Sequence, residues 1–237
     1  MDNTSYVALS RQVSLERQMA VVAGNIANMN THGFKTEQVL FESVLERAGE
    51  PGNVAFVRDS GLVRDSAPGA FDTTGNPLDL AINGEGYFTV MTEAGPRYTR
   101  AGHFTVDENS QVVASGGHPL LDSGGAAIQL PPQSGPISIG RDGTISTDEG
   151  IIGAVGVVRF ADDAALSREG DSLLATAQAP EQVVVPHIAQ GRLERSNVQP
   201  VLEMTRMMET VRAFQNTQRL LETHHEMVRR VIDQASS

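Results

Sequence analysis

The stretch NIANMNTHGFK, Asn25 to Lys35, decides how the rest of the chain is read. Three asparagines interrupt a run of small and apolar residues, which then closes on Gly-Phe-Lys. Asparagine is second to glycine in tolerating the left-handed backbone found at helix ends. Asn28 and Asn30 therefore end a helix, and Gly33 can take any remaining positive φ. Asn and Thr side chains also bond nearby backbone, so the last helical carbonyls keep partners. Phe34 then offers a large apolar anchor, and Lys35, the only lysine of the chain, a positive charge. Asn25 is different. It stands a turn inside the helix, where an amide lowers helix propensity and needs a partner if buried.

Upstream, about Thr4 to Met29, the residues Ala8, Gln12, Leu15, Met19, Val22, Ile26 and Met29 recur at alternating spacings of four and three. This is a heptad stripe on one helix face, with Thr4 or Ser5 as its cap. Gly24 weakens that helix by roughly 1 kcal/mol relative to Ala, and it is a place for close helix approach. At the other end, about Val198 to Gln234, the same spacing joins Met204, Met207, Val211, Phe214, Gln218, Leu221, His225, Val228 and Ile232. That helix would be about 50 Å long. Neither helix buries its stripe alone. An ordinary bundle would carry further helices in sequence, whereas these two stand at opposite ends of the chain. They are expected to pack on each other and on copies from neighbouring subunits.

The middle, from about Asn53 to Glu194, has another texture. Short apolar runs such as LDLAI (78–82), YFTVM (87–91), HFTV (103–106), PISIG (136–140), AVGVVRF (154–160) and QVVVP (182–186) are separated by the turn signals TTGNP, NGEG, ASGGHP and RDGT. Many short strands at regular spacing predict an all-β body of barrel or sandwich type. The fold class is α+β, with long terminal helices forming a coiled-coil-like element around it.

The net charge of the 237 residues is −11, unevenly spread. Residues 1–35 carry +1 and residues 200–237 none, so residues 36–199 carry −12. Nucleic acid is a poor partner for such a middle, and the neutral ends read as packing surfaces. There is no cysteine, which excludes disulfide and thiolate-metal chemistry. The N-terminus has no basic head followed by an apolar run, and no stretch approaches the roughly 18 apolar residues of a membrane span. Membrane insertion and a cleaved signal are not expected.

Catalytic chemistry has no constellation to stand on. His224-His225-Glu226 are helical neighbours that point apart, whereas a helical metal site wants ligands four residues apart. NGEGYF lacks the spacing of a phosphate loop and reads as a β-turn. REGDS (168–172) offers a serine without a partner histidine, and Asp162-Asp163 reads as loop solvation. No enzyme activity, metal, cofactor or small-molecule substrate is expected.

Three blocks carry a family resemblance. AGNIANMNTHGFKTE at the first helix exit resembles the N-terminal signature of the flagellar rod and hook proteins. TGNPLDLAINGEGYFTV (74–90) with YTRAGHFTVD (98–107) is similar to the β-domain signature of that family. LERSNVQPVLEMTRMMETVRAFQ (193–215) is similar to its C-terminal signature. Gly24 departs from the pattern, where a second Asn is common. The resemblance implies a structural subunit of the basal-body rod, exported unfolded through the flagellum's own channel. It assembles with copies of itself and with neighbouring rod proteins into a helical tube that crosses the periplasm. Length points to a proximal rod subunit, with a distal rod subunit, or a module binding rod or hook subunits, as alternatives. The implied division is 1–35 and 191–237 as inner-tube helices, 36–72 as an extended connection and 73–190 as a β domain. Assembly contacts are expected from Leu15, Met19, Val22, Asn25, Ile26, Asn28, Asn30, Gly33, Phe34 and Lys35. At the other end they are expected from Ser196, Asn197, Val198, Met204, Met207, Val211, Phe214, Leu221, Val228 and Ile232. Polar residues in such a seam fix register, which is the role expected of the three asparagines.

Overall fold

The computed structural model describes residues 3–47, 53–131 and 135–235. The fold is α+β: two long helices and many short antiparallel strands, distributed over two compact units. The first unit contains residues 1–27, 37–65 and 199–237, and the second residues 28–36 and 66–198.

In the first unit, helix α1 (Asn3–Ala27) packs against helix α2 (Pro200–Ala235). The strands β1 (Glu37–Arg47) and β2 (Asn53–Arg64) form an antiparallel ribbon in which Glu37 faces Arg64 and Arg47 faces Asn53. A bulge between Leu40 and Phe41 shifts the register opposite Gly61, whose φ is +128°. An irregularity there needs a residue without a Cβ.

The stripe on α1 is seated much as its spacing predicts: Ala8 and Val22 are buried, and Gln12, Leu15, Met19, Ile26 and Met29 are half-buried. On α2 the seam is turned by one residue. Glu203, Thr210 and Thr217 are the buried positions, and Met204 is 48% exposed. Met207, Val211, Phe214 and Leu221 are half-buried. A helix can bury this polar line because each threonine hydroxyl donates to its own helix, Thr210 to Arg206 O at 2.8 Å and Thr217 to Ala213 O at 3.0 Å. The side chains of Val228 and Ile232 lie outside the described residues. Within the chain a Cβ built on Gly24 meets nothing within 4 Å, so the packing of α1 on α2 does not itself call for glycine there.

The second unit is built from β3 (Phe71–Thr73), β4 (Leu80–Ile82), β5 (Tyr87–Thr92), β6 (Gly95–Thr99), β7 (Phe104–Val106), β8 (Val112–Ala114), β9 (Ser138–Ile139), β10 (Thr144–Thr147) and β11 (Gly150–Ala154). It continues through β12 (Val157–Arg159), β13 (Ser167–Glu169), β14 (Leu173–Ala175), β15 (Glu181–Gln182), β16 (Ile188–Gln190) and β17 (Arg192–Glu194). One six-stranded sheet runs β13-β14-β6-β5-β12-β15, and the other strands form small two- and three-stranded sheets. The described strands do not close into the expected barrel. Most are three residues long and are followed by turns, so none persists far enough to carry the tilt and stagger that closure demands. The core gathers Leu80, Ile82, Phe88, Val90, Phe104 and Leu120, with Phe88 and Phe104 edge to face at 5.3 Å. QVVVP contributes only Gln182 to a strand, β15, and Val184 and Val185 are exposed.

Candidate functional site

The opening stretch feeds two polar clusters, each contained in one unit. In the first unit Asn25, 2% exposed, finds the partners its position demands. Its Oδ1 accepts from Glu37 N at 3.0 Å and its Nδ2 donates to Glu37 O at 2.8 Å. The amide thus pairs with the backbone of the first β1 residue as a neighbouring strand would. Asn25 Nδ2 also donates to Glu203 Oε2 at 3.1 Å, and Glu203 Oε1 accepts from Arg206 Nη1 at 2.6 Å. Glu203 lies in the first turn of α2, where the unpaired N–H groups and the helix dipole favour a carboxylate. Arg64 Nη2 donates to Glu37 Oε1 at 2.9 Å across the ribbon. One amide therefore ties α1, α2 and β1 together.

In the second unit the helix exit is a chain of short-range bonds. Thr31 N donates to Asn28 O at 3.1 Å, Thr31 Oγ1 to Asn28 Oδ1 at 3.2 Å, and Phe34 N to Thr31 O at 3.3 Å. Gly33 has φ +70° and donates to Glu194 O at 2.8 Å. A Cβ on Gly33 would stand 2.3 Å from the carbonyl carbon of Arg100, so only glycine fits. Phe34 is buried, with the Arg168 guanidinium 4.0 Å above its ring.

Lys35 is buried too. Its Nζ lies 2.5 Å from Glu194 Oε1 and donates to Ala67 O at 2.8 Å. Arg100 Nε reaches the other oxygen of Glu194 at 2.9 Å. Arg100 Nη1 donates to Gly86 O, and Nη2 to Gly84 O at 2.7 Å and Ile82 O at 3.4 Å. Gly69 N adds a fourth contact to Glu194, at 3.1 Å on Oε1. One carboxylate, 1% exposed, thus balances two cations that are 5% and 7% exposed. Beside it Asn197 Oδ1 accepts from Thr36 N and Thr36 Oγ1 at 2.8 and 2.9 Å, and its Nδ2 donates to Ala67 O at 3.1 Å. The N-terminal, β-domain and C-terminal signatures meet here through Lys35 and Thr36, Arg100, and Glu194 and Asn197.

Sequence reading singled out Lys35, Gly33, Phe34 and Asn197 but missed Glu194, Arg100 and Glu203. Glu194 and Arg100 stand inside the quoted blocks LERSNV and YTRAG, and their signal was a charge within an otherwise buried pattern. Of the other expected residues, Val198 is buried, Ser196 and Asn28 are half-buried and Asn30 is exposed. A further knot holds TGNPLD: Asp79 accepts from Thr74 Oγ1 at 2.6 Å and Asn76 Nδ2 at 3.0 Å, and lies 2.7 Å from His103 Nδ1. Among the described residues no group of three or more His, Asp or Glu is arranged to hold a metal ion. No described helix is long and apolar enough to cross a membrane.

Two long terminal helices in one unit, short antiparallel strands in the other and a buried polar cluster inside each are the features that comparison with known proteins places in a class of structural proteins. The chain belongs to the flagellar basal-body rod protein family. Residues 6–35 match the flagella basal body rod protein model, residues 81–147 the flagellar hook protein FlgE/F/G D1 domain, and residues 189–234 the flagellar basal body rod FlgEFG protein C-terminal model. The chain is 39% identical to the flagellar basal-body rod protein FlgF of Caulobacter vibrioides, over 98% of both chains. It is 41% identical to FlgF of Mesorhizobium japonicum, over 93% of this chain and 92% of that one. To FlgG of Bacillus subtilis it is 31% identical, over 96% and 97%. It is a structural rod protein of the flagellar basal body and not an enzyme.

Proposed function

We propose that the protein is a proximal rod subunit of FlgF type that polymerises through the outward faces of its terminal helices. The observation that carries this reading is the apolar surface these helices leave uncovered: Tyr6, Leu9 and Val13 on α1, and Val201, Met204 and Met208 on α2. The spacing in each set is three then four, so each is a second helix face beside the one already packed. Five of these six are about half exposed, so covering each is worth roughly 1 kcal/mol before ordering costs. A contact of this kind between different faces of neighbouring copies propagates as a helical tube.

In the assembled tube we assign the segments 1–35 and 191–237 to the inner wall with coiled-coil-like packing, 36–72 to the connection and 73–190 to the outer β domain. Leu15, Met19, Val22, Ile26, Met207, Val211, Phe214 and Leu221 shape the helix pair, while Asn30 and Asn28 set register at the contact. The subunit reaches the rod through the flagellar export apparatus, unfolded and without a cleaved signal. Met1 retained on protein recovered from rods is the expected mass-spectrometric result, and a trimmed N-terminus would refute that route.

The test is complementation. Expression should restore motility to a strain lacking its FlgF-type rod protein, and Leu9→Asp or Met204→Asp should abolish the rescue while leaving the second unit's melting unchanged. Asn30→Ala reads the register role in the same assay. Full motility of both Asp variants would sink the assembly reading. The 29–31% identity to FlgG proteins favours a distal rod subunit as the second reading. Rescue of a strain lacking FlgG, and not of one lacking FlgF, would select it.

A further inference from the structure

We propose that Asn83-Gly84 is a site of spontaneous succinimide formation in the folded protein, and that its conversion to isoaspartate loosens the cradle of Arg100. Asn83 is exposed, and among the described residues its side-chain amide has no hydrogen-bond partner. Among the described residues the Gly84 N–H donates to no acceptor, and a Cβ built on Gly84 meets nothing within 4 Å. The attacking nitrogen is therefore not held by a hydrogen bond and belongs to an exposed residue, and glycine at φ +125° gives the backbone the latitude to bring it to the side chain.

The step balances within the chain and water. The Gly84 nitrogen gives up its proton and forms a bond to the Asn83 side-chain carbonyl carbon. The amide C–N bond breaks, and ammonia leaves carrying that proton. Water then opens the cyclic imide at either carbonyl, giving aspartate or isoaspartate.

Comparable places in the same unit are closed to this chemistry. At Asp142-Gly143 the Gly143 N–H is bound to Gly140 O at 3.0 Å. There the Thr144 N–H and hydroxyl also hold the Asp142 carboxyl below its ordinary range, keeping it in the unreactive anionic form. At Asn109-Ser110 the Ser110 N–H is bound to Asp107 O at 3.1 Å and the Asn109 amide to Asp107 Oδ2 at 3.3 Å. Asn76 precedes proline, whose nitrogen carries no proton.

The consequence is local. Asn83 N donates to His187 O at 2.7 Å, and Ile82, Gly84 and Gly86 supply the carbonyls that hold Arg100. Isoaspartate lengthens the main chain between Ile82 and Gly84 and displaces these acceptors.

The full-length chain is aged at mildly alkaline pH, folded and in urea, and digested for mass spectrometry. Asn83 sits in the tryptic peptide 65–97, where Asn76 cannot react by this route. Conversion of Asn83 in the folded chain is expected within about tenfold of the unfolded rate, because no opening step precedes attack, while Asn109 is slowed by more than about tenfold. Asn83 slowed by tenfold or more overturns the site. Aged protein should melt below fresh protein, and freshly purified Asn83→Asp, which adds the charge without lengthening the chain, should melt with the fresh one. An unchanged melting temperature after conversion, or an equal drop in Asn83→Asp, overturns the loosening.

Discussion

Glu194 is the residue on which the second unit's polar interior depends. Burying two cations is tolerable only because this carboxylate and four backbone carbonyls meet their N–H groups. Removing the shared anion leaves both cations uncompensated in a medium of low dielectric. Glu194→Gln is expected to destabilise the unit by about 3–5 kcal/mol. Lys35→Met, which leaves one matched pair with Arg100, should cost less. The fluorescence of Tyr87 and Tyr98, both buried in this unit, follows its denaturation. A loss in Glu194→Gln no larger than in Lys35→Met would contradict the shared-anion account. Asn25 illustrates the same logic in a neutral group, since an amide is tolerated inside a helix end when it replaces a strand's hydrogen bonds.

At the scale of elements, the β13–β14 hairpin carries a visible cost. Leu173 N donates to Gly170 O at 3.1 Å, and the two central residues, Asp171 and Ser172, have φ +58° and +61°. That is the signature of a type I′ turn, which matches the twist of paired strands but prefers glycine at its second central position. A serine there carries left-handed strain of roughly 1–2 kcal/mol, partly offset by the smaller entropy it loses on folding. Ser172→Gly should therefore stabilise the unit by about 0.5–1 kcal/mol. A midpoint of denaturation that falls in this variant would mean that Ser172 contributes more than its backbone geometry reveals.

For the whole molecule, pH stability follows from where the ionisable groups lie. Tyr98 is buried against Phe160, with ring centroids 4.6 Å apart, and burial pushes its hydroxyl above its ordinary value of 10.0 although the neighbouring Arg97 charge pulls the other way. Because the folded value is the higher one, the contribution is fully present below pH 10. It declines once the unfolded tyrosine ionises and is lost as pH rises through the folded value. The second unit is expected to hold its melting temperature up to about pH 10 and then fall more steeply than Tyr98→Phe does. Parallel alkaline limbs in the two proteins would show that Tyr98 is not the group responsible.

Periodicity and turn chemistry by themselves determined the helix-strands-helix order and the exit at Asn28 to Gly33, because these are local properties written into adjacent residues; the family was legible only through the resemblance of three sequence blocks to a known signature. Hydrophobic spacing located α2 but not its rotation. The half-heptad shared by both readings, Met207, Phe214 and Leu221, is compatible with two seams, and the line chosen was Glu203, Thr210 and Thr217. A polar line becomes burial-competent only when its hydroxyls find the carbonyls of their own helix and Glu203 finds Asn25 and Arg206. The meeting of Lys35, Arg100 and Glu194 joins residues 65 and 94 positions apart, and nothing in the local sequence of any of them names the other two. Strand runs predicted the β content but not whether it would close, since closure is settled by strand length and stagger across the whole sheet. Only the tertiary structure decided these matters, because a buried charge and a sheet edge are each defined by partners distant in the chain.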